Sequence, residues 1–505
     1  MKNFTSKLTA GLLCAATLVS LLASCANNED DKKPAVTGIT SESEDGKPTF
    51  VEADFDGVNF TILSVQDEAT DFIDHYIDNE TMTGEPINDA VIERNQLVED
   101  KYNVDVVRRK EGIGYAVQAA KSGTVDFEVV YDWGIRMTNP ATEGVFYDLK
   151  QVNNVDLDQS YWAPSSQDDL TIADKLLIFT NDISMNRIGW AGFIFFNKRI
   201  VEDLNYTIPY EYVNNNTWTY DVYLDMILDA AQDNGDNIWN QEDQYGSLSN
   251  SGGELSSFVF WSGFKGTTKN EDGTYKVDVY SDKLVSIYQE YSDKLATTDA
   301  YADDHGFDWA EGQDISMYPS IFKARRILSF GGGKSLFANF TMDMTQELID
   351  MEDYYGVVPN PKYTSAQTEY YHYIDGCAPM FAIMKQAKDM DMVGTILEYM
   401  AYESENLLLP AFYEQTIKTK RMSDIEGRDE AMLDIIRDSV HYNWTGLYYQ
   451  SIKNSEGEGW DPVGTMLGEM LAAGNFSSVN KKYLSAAQKS IDDLYDTILA
   501  LDVNK

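Results

Sequence analysis

Residues 60–131 alternate between two apolar patterns, and this alternation limits the fold more than any other feature of the sequence. Residues 60–65, 104–107 and 126–131 are short runs rich in β-branched and aromatic side chains, which is typical of buried strands. Residues 87–101 and 115–121 space apolar side chains three or four apart, as helices do. Parallel strands need a crossover helix between them, so this order predicts a parallel sheet in an α/β domain.

The rest of the chain predicts a second sheet and a helical end. Residues 176–180 and 192–196 are again β-rich, and an amphipathic helix is expected to begin near Trp218 and to end at Ala231. Further helices are predicted at residues 390–402, 430–439 and 485–501.

Length and charge narrow the possible partners. The chain has 505 residues, enough for more than one domain, and its 39 Lys and Arg against 83 Asp and Glu give a net charge of −44. Nucleic acid binding requires clustered Lys and Arg, so we expect no nucleic acid partner. Anionic membranes and polyanionic substrates are disfavoured for the same reason.

The first 24 residues form a predicted signal peptide. Lys2 and Lys7 precede an uncharged apolar run, residues 8–23, which is too short to span a bilayer comfortably. Cys25 follows shortly after this run, as the last residue of a Leu-Ala-Ser-Cys sequence that resembles a bacterial lipobox. This predicts that Cys25 carries the lipid anchor of an extracytoplasmic lipoprotein held at the cell membrane. The alternative is a chance cysteine near the end of an ordinary signal peptide.

Residues 25–49 are expected to be the lipidated cysteine and a flexible acidic tether, because they are nearly free of large apolar side chains. With Cys14 in the signal peptide and Cys25 lipidated, only Cys377 remains. No intrachain disulfide is then possible, and stability has to come from packing.

A series of short motifs runs through the chain and resembles a known family. The motifs are Glu93-Arg94-Asn95 leading into Tyr102-Asn103-Val104, residues 126–133, Phe196-Asn197-Lys198, Trp218-Thr219-Tyr220-Asp221, and Phe337 ahead of residues 355–359. Their order resembles the bacterial extracellular solute-binding proteins, family 1, of carbohydrate-type ABC importers, the maltose-binding-protein-like group.

The resemblance implies a type II periplasmic-binding-protein-like fold with two lobes. Each lobe would be a mostly parallel sheet flanked by helices, with the ligand cleft at a hinge that the chain crosses more than once. The N-terminal lobe is expected to take residues 50–180 plus 320–375. The C-terminal lobe is expected to take residues 181–319 plus 376–505, with a helical C-terminal region.

Ligands of parallel sheets bind beyond the carboxyl ends of the strands, which points to the loop after residues 126–131. That loop carries Asp132, Trp133 and Arg136. Flat aromatic rings suit the apolar faces of sugars, so Trp133 is the leading ligand contact. The alternatives are a core tryptophan for Trp133 and a surface ion pair for Asp132 or Arg136.

Six further ligand contacts are expected only from the resemblance. One residue aligns loosely with a ligand-contacting segment after residues 251–253, and the others flank the two expected hinge crossings. They are Trp261 in that segment, Asn181, Asp182 and Trp190 at one crossing, and Tyr373 and Asp375 at the other.

The stretch from Gln232 to Asp243 is a degenerate EF-hand loop. Position 1 is Gln, position 6 is Asn237 in place of Gly, and position 12 is the shorter Asp243, so any calcium would bind weakly. The alternative is an ordered polar loop without metal. The possible ligands are Gln232, Asn234, Asp236, the carbonyl of Ile238, Asn240 and Asp243.

The function predicted from these observations is non-catalytic. A monomeric lipoprotein captures an extracellular solute by hinge closure and delivers it to ABC permease subunits. The expected solute is a neutral sugar or oligosaccharide, with a peptide or an amino sugar as alternatives, and no cofactor is needed apart from the possible calcium. Two other functions remain open: a secreted glycoside hydrolase, and a surface glycan-binding module without transport.

Overall fold

The structure is a computed structural model, and part of the chain lies outside the residues it describes. Residues 1–47, with Cys25 and most of the predicted tether, are outside this set, as are the predicted ligands Asn240 and Asp375. No described helix is both long and apolar enough to cross a membrane. The described residues are 48–65, 75–239, 243–249, 254–295, 298, 301–303, 329–330, 333–341, 353–374, 376–419 and 427–502.

The strands are numbered in chain order. They are β1 Val58–Ser64, β2 Val104–Arg109, β3 Val129–Trp133, β4 Gly192–Asn197, β5 Gln244–Ser249, β6 Thr267–Lys269, β7 Tyr275–Val277, β8 Tyr301–Asp303, β9 Ser329–Phe330, β10 Gly333–Thr341, β11 Tyr355–Val358, β12 His372–Ile374, β13 Pro379–Ile383 and β14 Val440–Tyr442.

The helices are numbered in the same way. They are α1 Pro86–Tyr102, α2 Ile113–Ser122, α3 Gly134–Thr142, α4 Pro164–Leu170, α5 Asn186–Gly189, α6 Lys198–Asp203, α7 Pro209–Asn214, α8 Tyr220–Ala230, α9 Glu254–Trp261, α10 Asp282–Lys294, α11 Met390–Glu403, α12 Leu409–Thr419, α13 Arg428–Asp438, α14 Trp444–Leu447, α15 Pro462–Ala473 and α16 Phe476–Leu499. A π-helical turn, Ser404–Leu408, joins α11 to α12.

The first sheet has the strand order β13-β3-β1-β2. Strand β1 runs parallel to both β2 and β3, whereas β13 runs antiparallel to β3. Phe60, Ile62 and Leu63 are fully buried, because helices cover a parallel sheet on both faces. The strands and helices predicted for residues 60–131 are confirmed, with β3 beginning three residues later than expected.

The second sheet has the order β11-β4-β10-β5-β8, with β9 beside β10. Strand β4 runs against β10 and β11, and β5 lies parallel to both β10 and β8. Phe193 to Phe196 are all fully buried and form part of the core on this side.

The chain passes between the two sheets more than once. It leaves the first sheet after β3, enters the second at β4, and returns from β11 to β13. A small parallel sheet of β12 and β14 lies on the return path, and Ala191, just before β4, forms a bridge to Ile374. The predicted α/β fold class is confirmed. The first sheet is mostly parallel, whereas the second is mixed, because β4 runs antiparallel to both of its neighbours.

Four strands lie in the opposite sheet from the one predicted. The predicted boundaries placed β9, β10 and β11 in the N-terminal lobe and β13 in the C-terminal lobe. Strands β10 and β11 instead flank β4 of the second sheet with β9 beside β10, and β13 completes the first sheet beside β3. Apolar periodicity identifies a strand but not its pairing partner, which is why the prediction is wrong here. The other lobe boundaries stay a prediction.

The segment 176–180 also differs from the prediction. It is buried and extended, and within the described residues its one ladder contact is an antiparallel bridge between Phe179 and Phe381 of β13, with main-chain hydrogen bonds of 2.9 and 2.8 Å. A single bridge is too short to form a strand, so the predicted strand is an extended segment at the side of the first sheet.

Buried Glu398 ties the segment 156–162 to α11. Its carboxylate accepts hydrogen bonds from the Tyr161 hydroxyl at 2.6 Å, from Trp162 Nε1 at 2.7 Å and from the main-chain nitrogen of Asp156 at 3.0 Å. Burial raises the pKa of Glu398 to about 6. Three donors at one carboxylate fix this loop on the helix, because an unmade bond at any of them would leave a buried polar atom unsatisfied.

His372 of β12 joins two other segments of the chain through its ring nitrogens. Its Nε2 accepts a hydrogen bond from the main-chain nitrogen of Asn360 at 3.0 Å, so its Nδ1 carries the proton and donates to Ser439 Oγ at 2.9 Å. The ring is fully buried, and burial lowers the pKa of His372 to about 3. A neutral imidazole is therefore part of the folded state at physiological pH.

We predict that His372 makes the folded protein sensitive to acid. The unfolded chain takes up a proton near pH 6.5 while the folded ring does not, so stability is lost as the pH falls. Between pH 8 and pH 5 the wild type should lose about 2 kcal/mol more unfolding free energy than His372→Gln. Urea denaturation at each pH measures this. His75→Gln is the control, and equal losses in wild type and His372→Gln would contradict the assignment.

Candidate functional site

Strand β3 delivers Trp133 to the carboxyl edge of the first sheet. The next residue, Gly134, begins α3, and its nitrogen donates to the Ala378 carbonyl at 3.1 Å. A Cβ at Gly134 would lie 2.6 Å from the sulfur of Met380 and 3.1 Å from the Gly376 carbonyl oxygen, so a larger residue would require Met380 to move. This close approach places Trp133 beside the segment that leads into β13.

Trp133 and Trp190 form a tryptophan pair at this edge. Their ring centroids are 5.6 Å apart and the rings meet edge to face at 83°. Both side chains are half-buried, and the Nε1 of Trp133 has no hydrogen-bond partner among the described residues. The guanidinium of exposed Arg136 lies 5.8 Å from the Trp133 ring centroid. Trp133 and Trp190 are both predicted ligand contacts. They come from opposite sides of the first crossing, and the structure places them in contact.

Asp132 points into the protein. Its side chain is buried, and its oxygens accept hydrogen bonds from the nitrogens of Ile113 and Trp133, both at 2.7 Å. Burial raises the pKa of Asp132 above its usual value. The bond to Ile113 caps the start of α2, so the structure gives Asp132 an architectural role at the base of the tryptophan pair.

Asn181 and Asp182 are also internal. Asn181 Oδ1 accepts from the nitrogen of Ile183 at 3.1 Å, while Asn181 Nδ2 has no partner among the described residues. Asp182 binds Arg187 Nε at 2.8 Å and also receives Arg437, which in turn binds Glu405. This ion cluster ties the first crossing to the end of α13 and to the π-helical turn.

Trp261 belongs to the core and not to an open surface. It is buried and packs edge to face against Tyr220, Tyr223 and Phe258. Each residue of a helix is rotated by about 100° from the one before, so the preceding Phe260 faces a different direction. Phe260 stacks on Tyr373, with ring centroids 4.7 Å apart and an angle of 11°.

Phe260 and Tyr373 form the wall of a small aromatic groove with a cavity volume of about 20 Å³, which is room for about one water molecule. The groove lies where α9 meets the small sheet of β12 and β14. Predicted contact Tyr373 is thereby brought to a cavity. The groove is lined by Phe260, Phe264, Lys265, Tyr371, Tyr373, His441, Tyr442 and Asn443.

The polar side of the groove is built on Asp169. This buried carboxylate binds Lys265 and accepts from His441 Nδ1 at 2.8 Å and from the nitrogen of Tyr442 at 3.2 Å. Burial alone would raise the pKa of Asp169, but His441 and Lys265 hold that pKa below its usual value. The Tyr371 ring packs against the His441 ring, with centroids 4.5 Å apart and the ring planes tilted by 31°.

Some groove residues that were not predicted have a partial signal in the sequence. Tyr371 and Tyr373 flank buried His372 in the sequence. Because side chains alternate along a strand, the two tyrosines lie on one face and His372 on the other. Phe260 precedes the predicted Trp261, and helix rotation decides which of the two is exposed to the groove. Lys265 and His441 carried no local signature, because their shared partner Asp169 is distant in the sequence.

The predicted calcium loop is held by its own main chain. Asp243 Oδ1 accepts from the nitrogen of Asn234 at 2.8 Å, Asn234 Oδ1 from Asp236 at 3.1 Å, and Asp236 Oδ1 from Ile238 at 2.8 Å. Gln232 pairs with Gln244 of β5 through the main chain. Among the described residues, no group of three acidic, His or Cys side chains could hold a metal ion. Calcium binding stays a prediction.

Comparison with known proteins found distant structural neighbours. No family model and no curated relative matches the sequence. The chain is similar to maltose-bound MalE3 of T. maritima (13% identity, 88% of this chain and 99% of that chain, TM-score 0.41). It is also similar to the cyclic α-maltosyl-1,6-maltose binding protein of Arthrobacter globiformis (11%, 87% and 99%, 0.48) and to UspC of M. tuberculosis (11%, 86% and 100%, 0.49).

These neighbours include sugar-binding proteins, the kind that the sequence resemblance named. Their low identity leaves the ligand of this chain to be argued from its own side chains.

We predict that Asp182 is required for stability. Asp182→Asn leaves the buried Arg187 and Arg437 without their shared charge, which should cost about 3–5 kcal/mol of unfolding free energy. Urea denaturation measures this. Asp174→Asn is the matched control, because Asp174 pairs with Lys150 at the surface and its loss should cost about 0–1 kcal/mol. A loss at Asp182 no larger than at Asp174 would contradict the prediction.

Proposed function

We propose that this protein is a non-catalytic solute-binding lipoprotein of an ABC importer, which captures a sugar or oligosaccharide at the tryptophan pair and the aromatic groove. The observation that supports this most directly is the convergence of aromatic faces where the chain crosses between the two sheets. Trp133 and Trp190 lie at one crossing, and Phe260 and Tyr373 lie at the other.

The chemistry of these side chains suits a sugar. A pyranose has apolar C–H faces and a rim of hydroxyl groups, and tryptophan or tyrosine offers a flat apolar face with a polar atom at its edge. Trp133 is half-buried, so part of its side chain remains available as an apolar surface for a ligand. Asn443 and Tyr373 add polar groups to the groove.

The groove favours binding over glycoside hydrolysis. That reaction uses two carboxyl groups that face the substrate from opposite sides. The described lining of the groove contains no Asp or Glu, and the nearby Asp132 and Asp169 are buried in hydrogen bonds to the protein itself. A binding function fits this arrangement better than the hydrolase alternative does.

Hinge closure is part of the proposal. The two crossings and β14 meet in a small region through Ala191, Ile374 and Tyr442, so a few backbone rotations there could bring the sheets together around a ligand. The closed form would then dock on permease subunits in the membrane. This step rests on the resemblance and on the predicted lipid anchor, and not on a contact in the structure.

We predict that the aromatic faces carry ligand affinity. Trp133→Ala and Tyr373→Ala should each weaken binding of the cognate oligosaccharide about tenfold, because each removes a stacking surface. Tyr354→Ala, which removes an exposed ring at the start of β11, should have no effect. Isothermal titration calorimetry after a thermal-shift screen of mono- and oligosaccharides measures these affinities.

Three results would count against the proposal. Unchanged affinity in both aromatic variants would show that the ligand binds elsewhere. A thermal shift with peptides and none with sugars would keep a solute-binding role but replace the solute. Release of reducing ends during incubation would favour the hydrolase.

The lipid anchor gives a separate prediction. The full chain produced in a bacterium should partition into the detergent phase of Triton X-114, whereas Cys25→Ala should partition into the aqueous phase, because two acyl chains anchor stably. Cys377→Ala is the control for loss of a cysteine. Aqueous partitioning of the wild type would exclude the anchor and leave sugar binding untouched.

A further inference from the structure

A second cavity, which we call the edge cavity, lies at the edge of the first sheet opposite to Trp133. Three segments contribute to its lining: residues 54–59, which lead into β1, residues 125–128, which lead into β3, and residues 387–389, which follow β13. Strands β1 and β3 run parallel and β13 runs antiparallel, so these segments meet at one edge. The cavity volume is about 460 Å³, which is the size of a small-ligand site.

Carboxylates are the main charged groups on the lining of the edge cavity. They belong to Asp54, Asp56, Asp126, Glu128 and Asp389. Asp126 is paired with Arg109 at 2.7 Å, and Lys388 is the one basic residue of the described lining. The negative charges therefore outnumber the positive charges of Arg109 and Lys388. Acidic side chains are common throughout this chain, so the buried member of the group is the informative one.

Glu128 is the buried carboxylate of the edge cavity, and it is poorly compensated. The residue is 8% exposed, and its Oε2 accepts a hydrogen bond from the nitrogen of Thr61 at 2.8 Å. No other described residue donates to this carboxylate, whereas buried Glu398 has three donors. Burial raises the pKa of Glu128 despite the bond from Thr61 and the charge of Lys388. A buried carboxylate with one neutral donor is costly unless a cation compensates it.

The lining of the edge cavity also has an apolar part and an exposed acidic part. Phe55, Phe127 and Met392 contribute apolar side chains, of which Phe127 and Met392 are buried. Asp56 is exposed, and no described residue donates to its carboxylate. A ligand in the cavity would thus meet a buried carboxylate, apolar side chains and an exposed carboxylate.

A metal ion fits this lining poorly. Calcium and magnesium need several oxygen ligands that converge on one point. Among the described residues, no group of three acidic, His or Cys side chains could hold a metal ion. A bare ion would also leave the apolar side chains of the lining without a partner. An organic cation, which carries its charge on an apolar stem, suits both parts of the lining.

We propose that the edge cavity binds a small linear diamine. One ammonium group binds Glu128, the methylene chain packs on the apolar side chains, and the second ammonium group binds the exposed carboxylates around Asp56. Each ammonium brings three N–H donors and a positive charge to carboxylates that have donors to spare for neither. Glu128 and Trp133 are five residues apart along one strand, about 16 Å, so this site is separate from the tryptophan pair.

The test compares amines that differ in their second charge. The full-length protein in a non-ionic detergent is titrated by calorimetry with 1,4-diaminobutane, 1,5-diaminopentane, 1-aminobutane and magnesium chloride. We expect one diamine per chain, bound about tenfold more tightly than 1-aminobutane at low salt, because only the diamine reaches both carboxylate groups. Raising the salt should weaken this binding.

Variants assign the binding to the edge cavity. Glu128→Gln keeps an oxygen that accepts from Thr61 and should weaken diamine binding about tenfold, because the compensated charge is gone. Lys388→Met removes a competing positive charge and should tighten binding about threefold. Glu143→Gln is the matched control, because Glu143 is exposed, is paired with Lys121 at 3.3 Å and is not part of the lining.

A second acidic variant keeps the test decisive if Glu128→Gln does not fold. Asp56→Asn removes the exposed charge, and asparagine tolerates the left-handed backbone of position 56, where φ is 57°. It should weaken diamine binding about threefold and reduce the advantage of the diamine over 1-aminobutane.

The outcomes also separate this inference from the proposed function. The edge site is overturned if no diamine binds, if magnesium binds more tightly than the diamines, or if Glu128→Gln and Asp56→Asn bind them as the control does. Equal affinity for 1-aminobutane would overturn the two-ended contact. Sugar affinity should be the same in Glu128→Gln as in the wild type, and loss of sugar binding in the wild type would overturn the proposed function alone.

Discussion

The arrangement of this protein depends on the ion pairs that the buried carboxylate of Asp182 forms with two arginine side chains. This carboxylate lies in the first crossing between the sheets and is fully enclosed, yet two guanidinium groups, from Arg187 and Arg437, converge on it. Arg437 comes from the end of α13, far along the chain, and also reaches Glu405 of the π-helical turn. Because a buried charge is costly unless it is paired, these segments must assemble together. The tryptophan pair and the aromatic groove both lie on elements that this cluster positions.

Much of the fold could be predicted from the sequence, because strand and helix periodicities are local. The strands around Ile62 and Val129 and the helix after Pro86 follow from spacing alone. The partners of β10, β11 and β13 could not be predicted in this way, since pairing depends on which edges meet in space. The strand-end rule placed Trp133 at an edge, where the structure has it. The same rule could not show that the adjacent Asp132 turns inward to cap a helix.

The carboxylates of this acidic protein differ in their structural roles. Three buried carboxylates each accept hydrogen bonds from several donors of the protein and so hold neighbouring segments together. They belong to Asp132, Asp169 and Glu398. The net charge summed over the chain therefore says little about the potential inside a given cavity. The aromatic groove illustrates this, because its described lining includes Lys265 and no Asp or Glu, although the net charge of the chain is −44.

The late position of β13 has a consequence for how the protein is made. Strand β3 is covered by β1 on one side, but its other edge is completed only by residues 379–383. During synthesis, residues 129–133 are available long before their partner, and the open edge exposes unpaired main-chain groups beside buried apolar side chains. Closure of so long a loop is intrinsically slow. A chain of this topology cannot complete its first sheet until most of its length has been synthesised.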